Sequence, residues 1–436
     1  MSQDRVGKGR RMRRCAIWTA AALCFSGPTG GNALAQGAAS QPSSSRLVLV
    51  QHVEIAGDLA KEPSLVESAD GTLYVSGFGK LADGHPQQRP RLWKSVDRGA
   101  TWTCTEIGDA GITGNSDVGL AVARDGTLYL VELEYDPKAG EGVHVVAGVS
   151  RDQGDSWRWS TLTQGHFPDR PWVAVAPDGT AHVIWSDGGG VHHILSRDGG
   201  RTWSVPQVLY PSGSSSALAV GPRGEVAVRI TPSFAGGSKF DRRADFILVS
   251  TNGGSTWEKR MPPGERDWSP SGTEGQIPRW VEPVAWDAQG RLDSLWTNFQ
   301  GVWLAQSADA GRTWRQWRIA TIDAVSYFPY LTVRGRGELA ATWFSGAGEA
   351  LQWHVARILL PSGEGQPQVI QSGGLRTDSW TVSDESPLPV RYTAGEYLSV
   401  AILRDGDLAV VSPIQNPETK RLGFAFWRFR DRAADR

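Results

Sequence analysis

Hydrophobic and polar residues alternate in short runs between Trp172 and Tyr210, and turn residues break the runs. WVAVA (172–176) is followed by Pro-Asp-Gly, and TAHVIWS (180–186) by Asp187 and three glycines. VHHILS (191–196) leads into SRDGGRTW (196–203), and a last run reaches Tyr210. A period of two, rich in Val, Ile, Trp and Tyr and bounded by Gly, Pro and Asp, predicts four short strands. The same order recurs along the chain. Its first turn falls at Asp70-Gly71, Asp125-Gly126, Asp178-Gly179, Gly224, Gly290, Gly337 and Asp405-Gly406. Seven units of about 45–70 residues, each of four strands, are the blades expected of a β-propeller.

The seventh unit has only three strands, Tyr397–Ile402, Leu408–Ile414 and Gly423–Phe429. Arg46–Ile55 (RLVLVQHVEI) is a strand ahead of the first unit with no partner there. It is expected to complete blade seven and close the ring, which removes exposed sheet edges. The fold class is therefore all-β, a seven-bladed β-propeller; a six-bladed ring with an irregular cap is the alternative.

The octapeptide occurs five times: SVDRGATW (95–102), SRDQGDSW (150–157), SRDGGRTW (196–203), STNGGSTW (250–257) and SADAGRTW (307–314). Its Asp can accept hydrogen bonds from turn N–H groups, and its Gly permits a positive φ. Asn252 replaces Asp in the fourth copy, which an acceptor tolerates and a proton donor does not. Asp97, Asp152, Asp198, Asn252 and Asp309 are therefore read as structural.

Composition agrees with a turn-rich protein packed with aromatics: 52 Gly and 20 Trp against 3 Met, with 40% hydrophobic and 21% charged residues. Residues 1–35 read as a secretory signal peptide. Arg10, Arg11, Arg13 and Arg14 precede the apolar run CAIWTAAALCF, and Ala33-Leu34-Ala35 offers a cleavage site after Ala35. Residues 36–45 are expected to be flexible, 46–430 to form one propeller domain, and 431–436 a tail. Cleavage removes six basic residues and one acid, leaving 39 Lys and Arg against 45 Asp and Glu. That balance argues against nucleic acid or an anionic membrane as partner. Of three cysteines only Cys104 stays, so no intrachain disulfide is expected. No metal-ligand spacing or phosphate loop is present, and no cofactor is expected. The protein is expected outside the cytoplasm, periplasmic or secreted, as a monomer.

The five S-x-D-x-G-x-T-W copies resemble the Asp-box of the sialidase (BNR-repeat) superfamily. The resemblance covers most of the chain after residue 35 and implies boxes on the outer rim, with a glycan site on the opposite face. Aligned on the turn glycines, the innermost strands begin there with Glu62, Asp117, Asp169, Arg170, Glu282 and Tyr327. The resemblance implies Glu282 and Tyr327 as the Glu–Tyr pair of a nucleophile; Asp117, paired with Glu282, is read as the acid of a different kind of glycosidase. Glu62, Asp169, Arg170, Arg279 and Trp268 are the candidate substrate-binding residues, Trp268 as a platform for a sugar ring. The family's first arginine sits in an R-I-P motif, and Lys61-Glu62-Pro63-Ser64 stands in its place. The expected function is that of a sialidase-like Asp-box propeller acting on glycans, as a glycoside hydrolase of exo-sialidase-like type. A non-catalytic glycan- or protein-binding propeller, or a polysaccharide lyase using His or Tyr as base, are the alternatives. His192-His193 sit in a third strand and read as structural.

Overall fold

The short Val- and Ile-rich runs and their Asp-Gly turns fold as seven four-stranded antiparallel sheets, each in sequence order from the axis outward except the last. The structure is a computed structural model. It describes residues 46–55, 61–78, 89–108, 114–136, 138–163, 167–232, 239–264, 281–298, 301–321, 326–345, 352–372, 399–415 and 422–432. Ser44–Arg436 form one compact unit. The described residues hold 28 strands and no helix, so no helix among them is long and apolar enough to cross a membrane.

In the seventh sheet the outer strand is Arg46–Ile55, paired antiparallel with Leu422–Arg432, as its unpartnered sequence anticipates. Leu422–Arg432 runs two residues into the segment expected as a tail, and 433–436 lie outside the described residues. The flexible segment expected at 36–45 and the signal segment also lie outside them.

Alternation along each middle strand sends one set of side chains to each neighbouring blade. A buried apolar cluster therefore sits at every blade junction. Leu128 and Leu130 meet Tyr74 and Leu92 between blades one and two. Leu73, Val75 and Trp93 meet Phe424 and Phe426 between blades one and seven, which joins the two ends of the chain. Leu47, on the N-terminal strand, is 1% exposed in the cluster shared by blades six and seven. Each buried side chain of this size contributes roughly 1.5–3 kcal/mol relative to exposure.

The octapeptides form the turn between third and fourth strands. In the third copy Asp198 Oδ1 accepts from Ser196 Oγ at 2.9 Å, Arg201 N at 3.0 Å and Thr202 N at 2.9 Å. Its Oδ2 accepts from Thr202 Oγ1 at 2.6 Å. Hydroxyl and amide donors of this kind favour the charged carboxylate. They hold Asp97 and Asp152 down to about 2, first through the hydroxyls of Thr101 and Ser156. Asn252 keeps the arrangement: Oδ1 accepts from Thr256 N and Nδ2 donates to Thr256 Oγ1, both at 2.9 Å. The box Trp packs on the preceding blade; Trp102 meets Phe424 edge-on at 5.4 Å.

Blades six and seven carry no octapeptide, and ion pairs stand at their junction instead. Arg357 pairs with Glu338 and with Asp431 at 3.0 Å, and donates to Gly406 O. Within blade seven itself, Arg428 and Arg430 pair with Asp407 at 2.6 and 2.8 Å.

Candidate functional site

The innermost strands do not run straight into the axis. Their ladders slip between Lys61 and Ser64, Ser116 and Val118, Asp169 and Trp172, Ser215 and Ala217, and Tyr327 and Tyr330. Each slip is a β-bulge at the same height, on the face opposite the octapeptides. A proline at the bulge explains part of it, because proline has no N–H to give the ladder. Pro63, Pro171 and Pro329 stand there, and Pro283 precedes the first strand of blade five. The residues before three of them hold left-handed backbones: Glu62 at φ +49°, Arg170 at +53° and Phe328 at +50°. A non-glycine residue in that region costs on the order of 1–3 kcal/mol, and such strain gathers at functional sites.

The bulges surround one cavity of about 130 Å³ on the propeller axis. Glu62, Asp117, Arg170 and Ser216 line it from blades one to four, above an apolar floor that includes Leu120 and Leu331. Trp172, Tyr330 and Ser399 complete the polar and aromatic part of the wall. Ser399 Oγ accepts from Leu65 N at 3.0 Å. Burial raises the pKa of the Tyr330 phenol, with a hydrogen bond to Ser399 acting against it, so Tyr330 is a neutral hydroxyl at neutral pH.

Glu62 and Arg170 are each 8% exposed in the wall, and Asp117 is half-buried there, within 3.2 Å of the Ser116 hydroxyl. Asp169 sits beside rather than in the lining: its Oδ1 accepts from Arg170 N at 2.8 Å and so braces the bulge. Glu282 is 2% exposed behind the wall formed by Val281 and Pro283. The backbone of Tyr327 pairs with Phe344 at the mouth of blade six, and its side chain lies outside the described residues. Arg279 and Trp268 also lie outside them.

Arg229 is the charged residue that reading the sequence missed. Its strand, Val226–Thr231, is otherwise apolar or hydroxylated, and an arginine in the middle of VAVRIT is the signal that could have found it. The side chain is fully buried and points at blade five. Nε and Nη2 donate to Glu282 Oε2 at 2.9 and 2.6 Å. Nη2 also donates to Asp245 Oδ1 at 2.7 Å, while Nη1 donates to Ile230 O and, at 3.2 Å, to Phe246 O. Burial works against the charged guanidinium, but the Glu282 and Asp245 carboxylates outweigh it and keep its pKa raised.

Two carboxylate–histidine pairs stand at second-to-third-strand hairpins on the same face. Glu134 Oε2 meets His144 Nδ1 at 2.6 Å in blade two. Asp187 Oδ1 meets His192 Nε2 at 2.7 Å in blade three, where the His192 ring stacks on Trp185. His193, its neighbour, turns the other way and meets His182 between blades three and four. No cluster of three or more His, Cys, Asp or Glu residues with metal-binding geometry occurs among the described residues.

No protein-family model and no curated protein matches the chain. Among solved structures it is similar to a protein of unknown function from Dyadobacter fermentans, with 13% identity, 88% of this chain and 99% of that one covered, and a TM-score of 0.51. It is similar to an ulvan lyase of polysaccharide lyase family 25, with 12% identity, 87% and 95% coverage, and a TM-score of 0.50. It is also similar to a Trypanosoma rangeli sialidase, with 15% identity, 88% and 59% coverage, and a TM-score of 0.43. At these identities the likeness is one of fold.

Proposed function

We propose that the chain is an exported, sialidase-like Asp-box propeller that hydrolyses glycosidic bonds at the axial cavity. One observation carries the reading: Glu62, Asp117 and Arg170, from successive blades, line one cavity above an apolar floor, two of them on strained backbones. Glycosidic cleavage needs an acid to protonate the leaving oxygen and a second group to attack or stabilise the sugar. Asp117, half-buried in the wall, takes the first role. Glu282, with Tyr327 at the mouth of the next blade, takes the second, as the resemblance to sialidases implies. Glu62, Arg170 and Trp172 orient the sugar through its hydroxyls and its apolar face. A solved propeller of similar fold that is named as an ulvan lyase supports a glycan as substrate.

A second reading has its own observation. The pairs Glu134–His144 and Asp187–His192 place carboxylate-oriented imidazoles on the same face. Such an imidazole is the base that a lyase needs beside a uronate.

The test is a turnover screen of protein starting at Gln36, on fluorogenic sialosides, neutral oligosaccharides and uronate-containing glycans. Released sugar that disappears in Glu282→Gln and Asp117→Asn supports hydrolysis. Unsaturated product that survives in both variants moves the chemistry to a histidine. Folded protein that turns over nothing and still binds a glycan array overturns the enzyme reading in favour of a binding propeller.

A further inference from the structure

We infer that Arg229 is the positioning residue for Glu282: a guanidinium in blade four that fixes the carboxylate of blade five behind the Val281 and Pro283 wall of the axial cavity. The inference rests on the hydrolase reading above and names a part of it that the family resemblance does not supply.

The geometry is specific. A guanidinium has five N–H donors in one plane. Arg229 makes five hydrogen bonds: two to Glu282 Oε2, one to Asp245 Oδ1 and two to the backbone carbonyls of Ile230 and Phe246. The two carbonyls and Asp245 belong to blade four and hold the guanidinium plane in place. Glu282 is the member that comes from the next blade. Nε and Nη2 both meet Oε2, so that single oxygen is anchored by two donors.

Stability alone does not account for this arrangement. The equivalent positions in the second strands of the other blades are Ser76, Val131, Ile184, Leu295, Thr342 and Val411, all buried and none charged. Blade junctions at this height are therefore closed by apolar or small side chains. An ion triad costs desolvation that such side chains avoid, and replacing buried triads by well-packed apolar groups is often neutral or stabilising. Blade four carries the charged solution opposite a carboxylate beside the cavity, where orientation rather than cohesion is the gain. A misplacement of about 1 Å at a reacting group costs about 100-fold in rate.

The test compares Arg229→Lys with the parent on whichever glycan the screen identifies. Lysine keeps the charge and loses the planar fork. The expected result is a fall in kcat of about 100-fold with KM nearly unchanged. The same change made in a Glu282→Gln background is expected to cost nothing further, because both act through one carboxylate. Arg229→Lys turnover equal to the parent's overturns the inference, and so does a loss that multiplies with that of Glu282→Gln. In both cases the hydrolase reading stands. If Arg229→Lys gives no folded protein, Arg229→Gln supplies the same comparison, since its amide can still donate to the carboxylate. A parent protein silent on every glycan overturns the hydrolase reading and this inference with it.

Discussion

His182 and His193 make a prediction about acid stability that can be worked from the structure. The two rings lie diagonally on adjacent strands of blade three, 1% and 2% exposed, with His182 Nδ1 3.0 Å from His193 Nε2. His193 also meets Trp257 of the next octapeptide edge-on at 5.2 Å. One nitrogen of that contact donates and the other accepts. Burial is the main cause that holds His182 at about 4, with Asp178 acting against it and Arg197 with it. His193 is held at about 3, by burial first and then by His182 and Arg197. An unfolded histidine titrates near 6.5. Between pH 6.5 and about 4 the unfolded chain therefore binds protons that the folded chain refuses. Stability is full above that window and falls as pH falls through it. One imidazole alone accounts for about 3 kcal/mol between pH 7 and pH 4, a sizeable part of the 5–15 kcal/mol of an ordinary domain. The comparison is His182→Asn/His193→Gln, which keeps a donor and an acceptor and cannot titrate. Urea unfolding at pH 7 and pH 4 should show the parent losing about 6 kcal/mol more than the variant, about 3 for each imidazole removed. His354, held down to about 4 by burial, and Asp293, pushed up by burial, are present in both proteins and cancel in the difference. Parallel losses in the two proteins would refute the reasoning.

Four further outcomes follow from the fold. Asp198→Asn should melt close to the parent, because Asn252 already does the same work in the fourth octapeptide, while Asp198→Ala should melt several degrees lower; equal melting of the two would sink the acceptor role. The octapeptide carboxylates also predict a separate acid limb, present above pH 4 and lost toward pH 2, where Asp97, Asp152 and Asp309 take up protons. Leu47→Ala should cost about 2–5 kcal/mol in urea unfolding, since the side chain is 1% exposed in the core that ties the N-terminal strand to blades six and seven. Gly254→Ala should destabilise more than Gly126→Ala: both have positive φ, but a Cβ at 254 meets His193 Cε1 at 2.8 Å, whereas one at 126 meets nothing within 4 Å. Equal melting temperatures for the two would show that backbone strain alone matters.

Much of the architecture is legible from local chemistry. Alternation between 172 and 210 marks four strands, and four strands form there. The unpartnered run RLVLVQHVEI marks a displaced strand, and it pairs with Leu422–Arg432. Glu62, Asp117 and Arg170 are legible as a group because a propeller brings the starts of its innermost strands to one axis, and all three line the cavity. Asp169 belongs to the same row in sequence, but the bulge turns its carboxylate onto the Arg170 amide. Trp172, which reads as core, reaches the cavity wall.

Strand, turn and octapeptide are decided within a few residues, by steric preference and short hydrogen bonds, so the sequence by itself determines them. What lies between blades is different. Arg229 and Glu282 are 53 residues apart, and no periodicity links them. They meet because the ring sets one blade's middle strand against the start of the next. The facing of His182 toward His193, and the slip that lifts Glu62 and Arg170 into strained backbones, are likewise set only when seven sheets close on one axis. The tertiary structure decides them because a buried charge or a strained residue is tolerable only where distant parts of the chain supply its partners.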